Sequence, residues 1–257
     1  MLNYMKSEFY RIRHAKVFYL STAVLCGLVL LFNGGLAFLN IIDPAFRYGT
    51  FRFALNMFIG QPMLYMYMAG LIPLLLFLED KRSGVLQNTI AFGVPREKII
   101  LAKGIVCFLT ACVIMAITLV FYVGSAFLLL KNPEILPLQE MLWEIGALMP
   151  TAIAVLLLVI VLGMIMQKEA NVILFWINIV MLVPNAVWIL GLKFDVFYQI
   201  SRWMPIAYFK REIVVYFNSY ECIWHTTEGL IRCLISGFIG IVCVLLFGIL
   251  KVKKQDL

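Results

Sequence analysis

Charged residues are scarce in this sequence of 257 residues. Asp, Glu, Lys and Arg make up 14% of it, whereas hydrophobic residues make up 63%. A soluble domain of this size cannot cover so much apolar surface, so the lipid bilayer has to act as the solvent. The polar stretches between the apolar runs are shorter than an ordinary domain, which excludes a separate soluble domain within these residues. Residues 1–257 are therefore predicted to form a single transmembrane domain.

Motifs that supply energy or catalysis are also missing. There is no G-x-x-x-x-G-K-[ST] phosphate loop, no H-E-x-x-H motif, and no G-x-S-x-G motif with a plausible histidine partner. Cys222 and His225 form a metal-like pair, but two ligands fall short of the three or four that a zinc site needs. We therefore expect no catalytic residue, no metal site and no cofactor in this chain, and no ATP hydrolysis by it.

Ionisable residues are absent from the middles of the long apolar runs. Proton-coupled and ion-coupled transporters generally need such groups at membrane depth, because a relay must bind and release charge there. A gradient-driven transporter and an intramembrane enzyme are therefore both disfavoured, and the energy for any uphill transport is expected to enter from outside the membrane. Glu144 and Arg232 are interpreted as anchors near the outer membrane surface.

Six apolar runs are long enough to cross a bilayer. They cover Val17–Ile42, Ala54–Leu78, Gly104–Leu130, Met141–Met166, Asn171–Leu192 and Glu228–Leu250. With the N-terminus inside, the inner segments carry more Lys and Arg than the outer ones, as the positive-inside rule requires. This pattern predicts an all-α membrane protein with six transmembrane helices and both termini in the cytosol. The net charge of +7 is explained by basic residues that fix the topology and contact anionic lipid, and it does not indicate nucleic-acid binding.

Two segments outside the predicted spans have amphipathic helical patterns. In residues 1–16 the apolar positions are Leu2, Met5, Phe9 and Ile12. Glu8 and Arg11 are expected to point elsewhere, which predicts an interfacial helix on the inner leaflet rather than a frayed basic tail. Residues 193–227 are predicted to form two short outer helices, amphipathic or re-entrant, the second over Ile206–Phe217.

The polar segment Glu79–Lys103 combines positive charge with apolar periodicity. Its apolar stripe is formed by Val85, Leu86, Thr89, Ile90 and Phe92, which recur at helical intervals and predict a short amphipathic helix. Gly93 is expected to end this helix, and Pro95 suits the first turn of the next one. A loop that only fixed topology would need the positive charges but not the stripe. We therefore expect a soluble partner to dock here.

Uncharged polar residues enter the second and fifth predicted spans. The second carries Asn56, Gln61, Tyr65 and Met66, and the fifth carries Asn171, Asn178 and Asn185 at intervals of seven, which predicts a stripe along one face. Two interpretations stay open. These residues are either interhelical hydrogen-bonding glue with methionine as gap filler, or the weakly polar lining of a path for a large amphipathic cargo.

In architecture the whole chain resembles the membrane-spanning permease subunit of type-2 ABC transporters, in the small bacterial exporter class. The order E-x4-G-x8-G-x2-R-x6-K, between the second and third spans, carries the resemblance best. The resemblance implies a coupling helix within Val85–Phe92 that docks on a separate cytosolic ATPase, which binds ATP and Mg and is present in two copies. The implied coupling residues are Glu79, Gly84, Val85, Leu86, Thr89, Gly93, Arg96, Lys98 and Lys103.

The resemblance also implies a second permease chain, identical or paralogous, in a bacterial plasma membrane. The path between the two chains would be lined by Asn56, Gln61, Tyr65, Met66, Asn171, Asn178 and Asn185. By analogy with this family, the expected cargo is an antimicrobial peptide, and the expected role is export, immunity or multidrug resistance. The alternative is a non-transporting membrane scaffold or sensor that recruits a cytosolic partner.

Overall fold

The structure, a computed structural model, describes residues 2–43, 45–77, 85–166, 168–204, 213–216 and 219–253. Within these residues the chain is mostly helical, with one two-stranded antiparallel sheet. The helices are α1 (Leu2–His14), α2 (Lys16–Ile42), α3 (Phe51–Ile59), α4 (Met63–Phe77), α5 (Val85–Ala91), α6 (Arg96–Leu129), α7 (Ile135–Ile165), α8 (Glu169–Ile177), α9 (Val183–Gly191), α10 (Asp195–Arg202) and α11 (Thr227–Lys253). A π-helical segment, Asn178–Leu182, joins α8 to α9, and strands β1 (Ile213–Val215) and β2 (Tyr220–Cys222) precede a 3-10 turn, Ile223–His225.

Among the described residues, five helices are long and apolar enough to cross a membrane. They are α2, α6, α7, the rod formed by α8, the π-helical segment and α9, and α11. The number rises to six if α3 and α4 are counted as one span. The chain is therefore a helical membrane protein, as its apolar runs predict.

The second predicted span is broken. α3 ends at Ile59 and α4 begins at Met63, with a bend of 67° between the two helices. Pro62 lies in the break; it has no amide hydrogen, and its ring disfavours a helical conformation at the residue before it. The second predicted span, Ala54–Leu78, therefore consists of two helices over its described residues, with the break at Pro62.

Helix α7 forms the centre of the bundle, and α11 packs along it. Glycines allow this close approach: a Cβ added at Gly237 would lie 2.6 Å from the Pro150 Cβ, and one added at Gly248 would lie 2.6 Å from Val161. Small residues at a helix crossing let the two backbones approach, which is how helices associate in lipid.

The bundle has two different ends. The basic end holds α1, α5 and the start of α6. The hairpin end holds β1, β2 and the loops before α3 and α7. At the hairpin end the backbone amide of Phe51 donates to the Lys131 carbonyl over 2.9 Å, and Arg52 pairs with Glu134 at 2.6 Å. These contacts join the first and second loops of this end.

Two predicted boundaries at the hairpin end differ from the structure. α7 begins at Ile135, not at Met141, and the connection before it is shorter than the predicted loop 131–140. Pro137 fits inside α7 because the amides of the first helical turn have no carbonyl to bind. The first predicted outer helix corresponds to α10, but the helix predicted over Ile206–Phe217 is wrong at residues 213–215, where the β-branched run Ile-Val-Val forms strand β1.

Candidate functional site

Helix α5 lies between α4 and α6 at the basic end. Gly93 follows it with φ of +82°, in the left-handed region that glycine adopts without strain. The amide of Val94 donates to the Thr89 carbonyl at 3.3 Å, and that of Gly93 to the Ile90 carbonyl at 2.9 Å. These two bonds form the Schellman arrangement that closes a helix at its C-terminus. Gly93 therefore has the role that the sequence predicts for it.

One side of α5 is attached to the body of the protein. Ile90 and Val94 pack against a small apolar cluster at the basic end, formed by Ile99, Ile100, Val161 and Met164. This cluster joins α5 to the first turn of α6 and the last turns of α7. A displacement of α5 would therefore be passed directly to two membrane-spanning helices.

The other side of α5 is exposed. Val85 and Asn88 of α5 are exposed, and Phe92, the residue that follows the helix, leaves 87% of its surface accessible. Phe92 is the most exposed large apolar side chain among the described residues, so it is available for contact with a partner or a membrane surface.

The remaining predicted coupling residues have varied positions. Lys98 is exposed and Arg96 is half-buried in the first turn of α6, while the Thr89 hydroxyl donates to the Val85 carbonyl at 2.8 Å. Glu79 and Gly84 lie outside the described residues, and so does the side chain of Leu86.

Lys103 is buried instead of being presented to a partner. Its Nζ lies 3.4 Å from Glu8 Oε1 of α1 and 3.9 Å from the centre of the Phe77 ring of α4. Glu8 also accepts from Arg11 at 2.6 Å. The expectation that Glu8 points away from the packed side of α1 is wrong, because a buried lysine on α6 provides its counter-charge. Lys103 therefore fastens α1 to the bundle and does not contribute to an exposed docking surface.

The three asparagines of the predicted stripe do not all share one face. Asn171 and Asn178 are exposed, whereas Asn185 is half-buried. The π-helical segment between the last two residues has a wider turn, so a spacing of seven no longer keeps them in line. The Nδ2 groups of Asn178 and Asn185 donate to carbonyls of their own helix, at Leu174 (2.7 Å) and Met181 (2.8 Å). Both of these hydrogen bonds therefore lie within one helical rod, and neither joins it to another helix among the described residues.

The polar residues of the second predicted span do not form one continuous lining. Asn56 binds the hairpin: its Oδ1 accepts from the Tyr220 hydroxyl at 2.5 Å, and its Nδ2 donates to the Tyr216 carbonyl at 3.3 Å. Gln61 is exposed in the break between α3 and α4, and Met66 is fully buried in the core. Only Gln61 of this predicted set is an open surface residue.

Tyr65 binds Glu144, a residue whose position differs from the one predicted from the sequence. Its hydroxyl donates to Glu144 Oε2 at 3.3 Å, and the Glu144 side chain has 0% of its surface exposed. The other oxygen, Oε1, has no hydrogen-bond partner among the described residues. The interpretation of Glu144 as an anchor at the membrane surface is therefore wrong, because its side chain is fully buried and bonded to Tyr65 of α4.

A second carboxylate, Glu140, lies one turn before Glu144 on α7. Its Oε2 lies 2.7 Å from His225 Nε2 and accepts from Trp224 Nε1 at 3.2 Å. Cys222 is buried beside it, and burial, together with the Glu140 and Glu144 carboxylates, raises the pKa of the Cys222 thiol to about 12. The spacing of four between two glutamates in an apolar helix was the signal that could have marked this region, because such residues share one face.

No protein-family model, curated protein or solved structure matches this chain. The arrangement of its own residues therefore has to carry any statement about function.

Proposed function

We propose that this chain is the membrane subunit of an ATP-driven exporter of the type-2 ABC class. A separate cytosolic ATPase docks on α5, and ATP and Mg bind in that partner. The observation that carries this proposal is the two-sided environment of α5. Ile90 of α5 and Val94 just after it pack onto the start of α6 and the end of α7, whereas Phe92 between them stays accessible. A helix with these two properties is suited to receive a push and pass it into the membrane.

The proposal assigns the basic end to the cytosol of a bacterium, with both termini there and with α3 and α4 acting together as a broken second span. Three features support this orientation. The N-terminal helix, the start of α6 and the end of α11 all carry Lys or Arg at this end. Cytosolic segments are enriched in these residues. The alternating direction of the described helices then brings the hairpin to the outer surface.

The exposure of the α8–α9 rod is an argument for a second membrane chain, identical or paralogous, which would share a cargo path with this one. Only 17% of its most apolar window is buried, yet it exposes Asn171 and Asn178. Polar side chains at membrane depth need protein or water around them instead of lipid. A path between two such rods suits an amphipathic cargo such as a peptide antibiotic, a toxin or a lipid-like compound.

Reconstitution tests this proposal. The chain is purified with a candidate partner ATPase from the same organism, placed in liposomes, and assayed for ATPase binding and cargo-stimulated hydrolysis. Phe92→Ala should weaken ATPase binding at least about tenfold, as expected for an exposed aromatic anchor of an interface. Phe38→Ala is the matched control, because Phe38 is an exposed aromatic residue on α2 near the opposite end.

Each outcome has a defined meaning. Equal loss in both variants, or normal coupling in Phe92→Ala, would contradict docking at α5. Binding of the ATPase without any cargo-dependent stimulation would favour the scaffold or sensor. A cysteine placed at position 92 should react with a membrane-impermeant maleimide only after the inner face is opened, and labelling from the outside of intact cells would refute the orientation.

A further inference from the structure

Three metal-ligating side chains from separate parts of the chain meet at the hairpin end. Glu140 belongs to the second turn of α7, Cys222 is the last residue of β2, and His225 is the last residue of the 3-10 turn. A carboxylate oxygen, the thiol sulfur and an imidazole nitrogen of these residues all lie within 4.8 Å of one another. Cys222 and His225 are the metal-like pair found in the sequence, which has too few ligands for a zinc site. The fold adds Glu140 as the third ligand.

The local structure explains why the ligands converge. A 3-10 turn has three residues per turn, so residues three apart lie above one another, and Cys222 and His225 have this spacing. Cys222 is held in register by pairing with Ile213 across the hairpin. Between the two ligands, Ile223 and Trp224 are buried in the core and fix the turn against the bundle.

Glu140 is held just as firmly. It lies within α7, its side chain is mostly buried, and the Trp224 indole donates to its Oε2 at 3.2 Å. A hydrogen bond to a ligating carboxylate is the kind of contact that orients ligands around a metal ion. The ligand atoms are thus positioned by a helix, a hairpin and a buried aromatic residue, with no dependence on a long loop.

The chemistry of these three atoms selects the ion. Sulfur, imidazole nitrogen and carboxylate oxygen together suit Zn²⁺, whereas Mg²⁺ and Ca²⁺ prefer oxygen ligands alone. We propose that Glu140, Cys222 and His225 form a zinc-binding site that joins the hairpin to α7. With three protein ligands, the fourth tetrahedral position is left for water or another small ligand. His225 has 38% of its side chain exposed, which gives the ion a way in from solvent.

The hairpin is attached to α7 in different ways with and without the ion. Without an ion, the 2.7 Å contact between His225 and Glu140 joins it to α7. With zinc, that contact is replaced by bonds of about 2.0–2.2 Å from both side chains to the ion and one of about 2.3 Å from Cys222. Zinc would therefore stiffen the hairpin end without requiring a large rearrangement.

Cobalt titration of the purified full-length chain in detergent tests this site directly. Co²⁺ bound by a thiolate in a tetrahedral site gives a sulfur-to-cobalt charge-transfer band and intense visible bands, which Zn²⁺ should remove by displacement. We expect one ion per chain. Cys222→Ser should abolish the charge-transfer band, and His225→Ala should weaken Co²⁺ and Zn²⁺ binding more than about tenfold.

Matched controls are available within the chain. Cys243→Ser removes an exposed cysteine of α11, and His14→Ala removes the other histidine, so both variants should bind as the unmodified chain does. Zn²⁺ should also raise the unfolding temperature of the unmodified chain but not of His225→Ala. Absence of binding at about 100 µM Co²⁺ and Zn²⁺, or an unchanged band in Cys222→Ser, would overturn the proposal whatever the ATPase experiment shows.

Discussion

Helix α7 and the α8–α9 rod are consecutive membrane-spanning elements with opposite environments. In the most apolar window of α7, 72% of residues are buried inside the protein, whereas in the rod the share is 17%. Both segments are long and apolar enough to cross a membrane. Apolarity therefore shows that an element can enter the bilayer, while its burial depends on which helices surround it. The rod leaves most of its surface to lipid or to another chain.

The polar residues of the two elements are satisfied in different ways. On α7, Glu140 and Glu144 receive hydrogen bonds from Trp224 and Tyr65, which belong to other elements. On the rod, the Asn178 amide binds a carbonyl of its own helix, and its recorded bond does not reach another helix of the described chain. The polar groups of α7 thus depend on tertiary structure, and this difference predicts how each element responds to substitution.

The largest effect is expected where α11 crosses α7. In Gly237→Leu the new side chain has no room, because even its Cβ would lie 2.7 Å from the Thr151 backbone nitrogen. Overpacking of this kind costs about 1–3 kcal/mol or more, and it should reduce the yield of monodisperse protein in size-exclusion chromatography. Gly27→Leu on α2 is the control, since a Cβ there has no neighbour within 4 Å. Equal yields for the two variants would contradict the close crossing.

An intermediate effect is expected at the buried carboxyl of α7. Tyr65→Phe removes the hydrogen bond to Glu144 and should lower the free energy of unfolding in detergent by about 1 kcal/mol. Glu144→Gln keeps the shape and should cost less, because a neutral amide is easier to bury than a carboxylate. Tyr198→Phe, at an exposed tyrosine of α10, is the control. A larger loss in Glu144→Gln than in Tyr65→Phe would mean that the carboxyl group itself holds the bundle together.

The smallest effect on stability is expected on the rod. Asn178→Leu removes only a bond within its own helix, so the free energy of unfolding of the single chain should change by less than about 0.5 kcal/mol. If the chain works in the exporter proposed above, the same change should alter cargo preference more than abundance. Asn33→Leu is the matched comparison, because Asn33 is buried and its Nδ2 contacts the Tyr122 carbonyl and Ser125 Oγ of α6. A loss of folded protein as large as that of Asn33→Leu would place Asn178 in an interhelical contact.

Local signals carried the correct part of the sequence prediction. The apolar runs indicated the membrane-spanning helices, and the stripe followed by Gly93 predicted α5 and its end. These features depend on residues within a few turns of one another. The errors arose where a distant residue decided the outcome: Lys103 pairs with Glu8 inside the bundle, and Tyr65 of α4 binds the buried Glu144.

The candidate sites divide in the same way. The proposed docking segment could be predicted from the sequence because a single short helix carries its periodicity. The proposed zinc ligands could not, because Glu140 is separated from His225 by 85 positions and no pattern links them.

The sequence by itself determined which apolar runs are long enough to span a membrane, and that a short helix follows the second run. Only the tertiary structure decided that this run is broken near Pro62, that α7 becomes the centre, and that Glu140, Cys222 and His225 meet. The physical reason is that hydropathy and helical period act along the chain, whereas burial and ligand geometry depend on contacts between helices far apart in sequence.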